Sequence, residues 1–91
     1  MEKNSNHYVY MLRCKDGSLY TGYTNNVEKR LKVHEEGKGA KYTRGRGPFE
    51  LVFVEEYETK GLALQQEHRM KKLTRKEKEK LIQASEGRKN G

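Results

Sequence analysis

Residues Tyr8 to Cys14 and Leu19 to Thr24 are rich in β-forming side chains, and Lys15-Asp16-Gly17-Ser18 between them supplies turn chemistry. This pattern predicts a β-hairpin. Asn25 or Asn26 can then cap a helix whose apolar Val27 and Leu31 are four residues apart, and Gly37 after Glu36 is a natural stop. The helix is expected over Val27 to Glu36. Phe49, Leu51 and Phe53 alternate with Glu50, Val52 and Val54, the period of a third strand ending near Tyr57. Leu62, Gln66, Met70 and Leu73 recur at helical spacing from a start near Thr59, and Thr74-Arg75-Lys76-Glu77 reads as a capping box opening a last helix through about Ala84. The expected fold is α+β: one domain over residues 7–84, a three-stranded, mainly antiparallel sheet flanked by helices. Residues 1–6 and 85–91 are expected to be disordered, and there is no internal repeat.

A chain of 91 residues has room for one modest core, burying roughly 60% of the surface that an unfolded chain exposes. Twenty Lys and Arg against thirteen Asp and Glu leave a net charge of +7, the footprint of a polyanionic partner. That charge alone equally suits a ribosome-associated accessory. The polar Met1 to Asn6 stretch has no apolar signal region, and no run of eighteen apolar residues could span a bilayer; a cytoplasmic location is expected. Lone Cys14 has no disulfide partner and suits strand packing.

Chemistry enters through spacing. Tyr20-Thr21-Gly22 begins ten residues after the last tyrosine of Tyr8-Val9-Tyr10 and ten before Arg30, with His34 four further on and Glu67 distant. From about Tyr8 to Leu73 this order resembles the GIY-YIG endonuclease family, above all its small stand-alone bacterial members. Tyr8 stands where the first motif usually has glycine, while the motif's tyrosine is retained as Tyr10.

The resemblance implies an endonuclease that hydrolyses DNA phosphodiester bonds, in DNA repair or processing, with Mg2+ or Mn2+. Arg30 and His34, at i and i+4, are neighbours on one helix face. A planar guanidinium such as Arg30 can grip two nonbridging oxygens as charge builds on phosphorus. By resemblance, Tyr10 with Tyr20 would orient or deprotonate water, and His34 would assist proton transfer. A free phenol has a pKa of about 10, so a base role requires nearby cations to favour phenolate. Glu67 matches the family's metal-binding glutamate, and one carboxylate with waters and substrate oxygens suits hydrated magnesium; adjacent His68 points about 100° away around the helix and reads as a surface residue. Gly37 to Pro48 is glycine-rich and basic without an acid, a loop expected to be mobile. Lys38, Lys41, Arg44 and Arg46 there, with Lys29, are the expected DNA contacts. The alternative is a noncatalytic nucleic-acid-binding protein on the same fold.

A shared tyrosine site constrains the hairpin. A two-residue turn at Asp16-Gly17 would set Tyr10 opposite Tyr23 and put the two tyrosines on opposite faces. A type I turn at Lys15-Asp16 closed by Gly17 at positive φ pairs Cys14 with Ser18, Leu12 with Tyr20 and Tyr10 with Gly22. The second register is the expectation.

Overall fold

The computed structural model describes residues 6–39, 43 and 45–90, residues 86–90 by backbone alone. The expectations for residues 1–5, Lys41 and Arg44 lie outside the described residues. Strands β1 (His7–Arg13), β2 (Leu19–Thr24) and β3 (Glu50–Tyr57) form one antiparallel sheet in the order β2-β1-β3. Helices α1 (Val27–Glu35), α2 (Lys60–Lys71) and α3 (Arg75–Asn90) complete an α+β architecture. No helix among the described residues is long and apolar enough to cross a membrane.

The hairpin takes the expected register. Gly17 N donates to the Cys14 carbonyl at 2.9 Å, Cys14 N donates to the Ser18 carbonyl at 2.8 Å, and Gly17 has φ +87°. The Asp16 carboxylate holds the turn by accepting from Ser18 N at 3.0 Å and the Ser18 hydroxyl at 2.6 Å. Tyr10 therefore pairs with Gly22 and Leu12 with Tyr20, while Tyr23 pairs with Val9.

Helix ends follow local chemistry. The Asn26 side chain accepts from Lys29 N at 3.1 Å to open α1. At its other end Gly37 N bonds to the His34 carbonyl and Lys38 N to the Val33 carbonyl, both at 3.0 Å, with Gly37 at φ +78°, the double closure that glycine permits. The Thr59 hydroxyl accepts from Leu62 N at 3.1 Å and opens α2. Thr74 and Glu77 form the reciprocal capping box, Thr74 N to Glu77 Oε1 at 2.9 Å and Glu77 N to Thr74 Oγ1 at 3.2 Å. Each such cap contributes about 1 kcal/mol. The last helix continues past the expected end at Ala84 to Asn90; no proline stops it, and Gly87 costs only about 1 kcal/mol.

Successive β1 side chains point to opposite faces. Val9 and Met11 join Phe53, Ala63, Met70 and Ile82 in the apolar core, with Leu19, Tyr23, Val52, Tyr57, Leu73 and Leu81 packed against it; α2 and α3 cover this face. At the rim, the Arg13 guanidinium donates to both Glu79 oxygens, at 2.8 and 3.0 Å, clasping α3 to the end of β1. The other face carries Tyr10 and Leu12 and looks toward His34 of α1.

Two leucines of the predicted strand and helix patterns lie outside the core. Met11 pairs with Phe53 but Leu12 with Leu51, so Val52 is the extra residue of a β-bulge. The bulge breaks the period-two alternation, carries Leu51 to the opposite face from Phe53, and leaves it 37% exposed while Val52 packs on the core. On α2 the buried positions are Ala63 and Met70, whereas Leu62 is 45% exposed. The small Ala63 lets the helix approach the sheet, turning Leu62 outward and bringing Glu67, four residues after Ala63 and three before Met70, to the inner side.

Candidate active site

Tyr10 and Tyr20 share the sheet face opposite the core, with ring centroids 6.2 Å apart. Gly22 makes this possible. A Cβ at that position would lie 2.7 Å from the Tyr10 hydroxyl and 2.9 Å from the Tyr20 ring, well inside van der Waals contact. The third residue of Tyr20-Thr21-Gly22 is thus the floor on which both rings rest.

The Tyr10 hydroxyl is 2.8 Å from His34 Nε2, and His34 Nδ1 is 2.8 Å from Thr43 Oγ1. All three residues are buried. The Tyr20 and Phe49 rings meet the imidazole edge-on at 5.3 and 6.0 Å, and a Cβ on Gly39 would collide with His34 Nδ1. The imidazole therefore has one orientation, enforced by two hydrogen bonds, two aromatic walls and a glycine.

Burial lowers the His34 pKa, and the Arg30 charge lowers it further, so the ring is neutral at physiological pH. Burial likewise pushes the Tyr10 phenol far above its ordinary range. Tyr20 adds to that rise, Arg30 opposes it, and the Glu67 charge contributes a smaller increase. The expectation that cations would favour phenolate is thus reversed in the resting protein: Arg30 acts in the expected direction, but desolvation outweighs it.

Arg30 is exposed on α1, one turn before His34. With Lys29 it lines an open cavity of about 220 Å³ whose other walls are Thr24, Asn25, Asn26 and Val33. Glu67 approaches from α2; its side chain is 17% exposed and its carboxylate pairs with Lys71 Nζ at 3.1 Å. Among the described residues no three His, Cys, Asp or Glu side chains form a metal-ligating group. A divalent ion here would have one protein carboxylate and complete its shell with water and substrate oxygens. That donor set fits a hard, hydrated cation such as magnesium. His68 is exposed, as expected.

Of the predicted site residues, the fold brings Tyr10, Tyr20 and His34 into contact, with Arg30 and Glu67 near enough for their charges to act on Tyr10. Lys38 is exposed just past the end of α1. Arg46 has a partner within the chain. Its guanidinium is paired with Asp16 at 2.6 Å, and its carbonyl accepts from Lys15 N at 2.8 Å. The described part of the loop, expected to be mobile, is thus tied to the hairpin turn through Arg46 and to α1 through Thr43. Sequence reasoning missed Thr43, Phe49 and Gly39, whose roles are long-range contacts with His34 that no local pattern signals.

Comparison with known proteins agrees with this geometry. Residues 6–80 match the GIY-YIG catalytic domain. A UPF0213 protein of Oceanobacillus iheyensis is 64% identical over 80 residues, covering 88% of this chain and 93% of the relative. Among solved structures, the solution NMR structure of the UPF0213 protein BH0048 from Bacillus halodurans is 55% identical with a TM-score of 0.57, over 86% of this chain and 83% of that one. The NMR structure of EF2693 from E. faecalis is 45% identical with a TM-score of 0.62, over 92% and 90%.

Proposed function

The chain belongs to the GIY-YIG nuclease family, as one of its small UPF0213-type members, and from that premise we propose that it is a metal-dependent endonuclease hydrolysing DNA phosphodiester bonds. DNA repair or processing is the setting such an activity would serve. The observation that carries the reading is the buried Tyr10–His34–Thr43 chain beside Arg30. Binding alone would not need Tyr10, Tyr20, Arg30, His34 and Glu67 together.

The protonation states set the direction of proton flow. With Tyr10 and His34 both neutral, the relay uses the tautomer in which the phenol donates to Nε2 and Nδ1–H donates to Thr43 Oγ1. As water attacks phosphorus, its proton passes to the Tyr10 oxygen and the phenol proton to His34 Nε2, leaving an imidazolium anchored by Thr43. The raised Tyr10 pKa suits a relay, because phenolate need never accumulate. Arg30, solvent-facing at the cavity mouth, grips the nonbridging oxygens and offsets their growing charge. Tyr20 and Gly22 fix the phenol's position. Glu67 would hold the metal, which when bound neutralises the leaving oxygen.

Incubating the purified chain with labelled linear, flapped and branched DNA in magnesium, manganese or EDTA tests this. Cleavage is expected with either metal and none with EDTA. Glu67→Gln should lose metal-stimulated cleavage while keeping its fold and its metal-free DNA affinity, and Arg30→Ala should lose cleavage and bind more weakly. A parent that cuts none of these substrates, or a Glu67→Gln variant as fast as the parent, would make a noncatalytic nucleic-acid-binding role the better reading.

A further inference from the structure

Beyond the site face, an open cleft of about 360 Å³ runs along the free edge of β2, lined by Leu19, Tyr20, Thr21, Lys71 and Lys78. We infer that this cleft is a second anion subsite, holding a backbone phosphate of the bound nucleic acid next to the one that Arg30 engages. The inference rests on the nuclease reading for the identity of the ligand, and on the cleft itself for its chemistry.

Three observations converge. Two ammonium groups from different helices, Lys71 at the end of α2 and Lys78 in the first turns of α3, line one small cleft. They repel each other: Lys78 is only partly exposed, and burial together with the neighbouring Lys71 charge lowers its pKa. Glu67, one turn before Lys71, is paired with it, and no ion pair of Lys78 is found among the described residues. An anion between them would be favoured, since one phosphate oxygen on each ammonium replaces repulsion with two charge-assisted bonds. Thr21 supplies the third observation. It is 3% exposed, it lines the same cleft, and its hydroxyl is the buried side-chain polar atom without a hydrogen-bond partner among the described residues. A phosphate or its bound water brings the partner that this hydroxyl lacks.

Position gives the subsite its use. Tyr20 belongs to both places, with one part of the ring walling the cleft and its edge 5.3 Å (centroid to centroid) from the His34 imidazole. Lys71 lies one helical turn beyond Glu67. A strand whose scissile phosphate meets Arg30 would thus be held at a second phosphate on the Glu67 side, which sets its direction across the two tyrosines. Contacts of this kind position the backbone and read no sequence.

The test is binding of a labelled DNA duplex in EDTA, followed by fluorescence anisotropy between 50 and 200 mM salt. Each phosphate contact contributes about −0.9 to the slope of log affinity against log salt. The subsite holds one phosphate, so the Lys71→Gln/Lys78→Gln pair should flatten the slope by about 0.9 and Lys78→Gln alone by part of that, with circular dichroism and Tm unchanged. Lys78→Arg, which keeps the charge, should keep the parent's slope. Walking one methylphosphonate along the strand should find a position that weakens the parent and leaves the double variant unaffected. A folded double variant with the parent's slope overturns the subsite, even if the parent cleaves well. A parent that binds but does not cleave, with the slope still lost in the variants, removes the nuclease reading and supports the subsite. A parent that binds no duplex overturns the subsite, while the nuclease reading still stands or falls on cleavage of the flapped and branched substrates.

Discussion

On β1, Val9 and Met11 are 0% exposed and Tyr10, between them, is 2% exposed. The same dryness does different work on the two sides of the sheet. Under α2 and α3 it removes apolar area from water, about 25 cal/mol per Å², and no titratable group is involved in the buried cluster. On the opposite face it encloses Tyr10, His34 and Thr43, where burial is costly unless every polar group is paired. The hydrogen bonds keep that cost small, and what burial does there is move two pKa values in directions that hold both groups neutral. One face stabilises the fold; the other sets proton positions.

The largest effect should come from cutting the polar face at its centre. Tyr10→Phe removes the relay's first oxygen without changing the ring, and cleavage should fall by roughly 10²–10⁴-fold. Stability should fall by about 1–3 kcal/mol, because His34 Nε2 is left buried without its partner. A denaturation curve beside a cleavage assay checks this, and a Tyr10→Phe protein that cleaves at the parent rate would end the distinction between the faces. The mirror-image substitution is Phe53→Ala in the apolar core. It should cost about 3–5 kcal/mol, while the rate per folded molecule at low temperature stays within a few-fold of the parent.

Gly22→Ala should hurt both properties, because the new methyl must displace the Tyr10 and Tyr20 rings. A loss of about 1–3 kcal/mol is expected from overpacking, with cleavage reduced more than temperature-matched unfolding explains. A variant of normal stability and rate would show that the rings have room the close contacts deny.

The smallest effect is the polar face's share of stability against pH. The folded His34 pKa lies below its unfolded value of about 6.5, so its contribution is complete above that pH and is lost as pH falls through the folded value. Tyr10 runs the other way: its folded pKa is raised, so its contribution is complete below about pH 10 and is lost as pH rises toward the folded value. Tm measured from pH 4 to 11 should therefore fall more gently in His34→Gln on the acid side and in Tyr10→Phe on the alkaline side. Identical limbs in parent and variants would contradict the neutral assignments.

Features encoded over a few residues were legible beforehand. The Gly17 turn, the Asn26 and Thr59 caps, the Thr74–Glu77 box and the glycine closure of α1 depend on neighbours in the chain, and all are present. Leu51 and Leu62 were misplaced because a bulge and a small alanine, each decided by tertiary packing, reset which side chains face inward. The Arg46–Asp16 pair was not legible because its two members lie thirty residues apart. The spacing of Tyr10, Tyr20, Arg30 and His34 pointed to one site, but the protonation of Tyr10 depends on how deeply the fold encloses it, which composition does not reveal.

The bulge at Val52 also bears on how the protein behaves in a crowd. β3 pairs only with β1, so its outer edge is open, and Leu51-Val52-Phe53-Val54 is the kind of apolar β-run that templates intermolecular strands. An extra residue in the middle of that run twists and bends the edge, and Glu50, Glu55 and Glu56 bracket it with like charge. The irregularity that misdirects Leu51 thus interrupts the flat edge on which a second chain would need to stack.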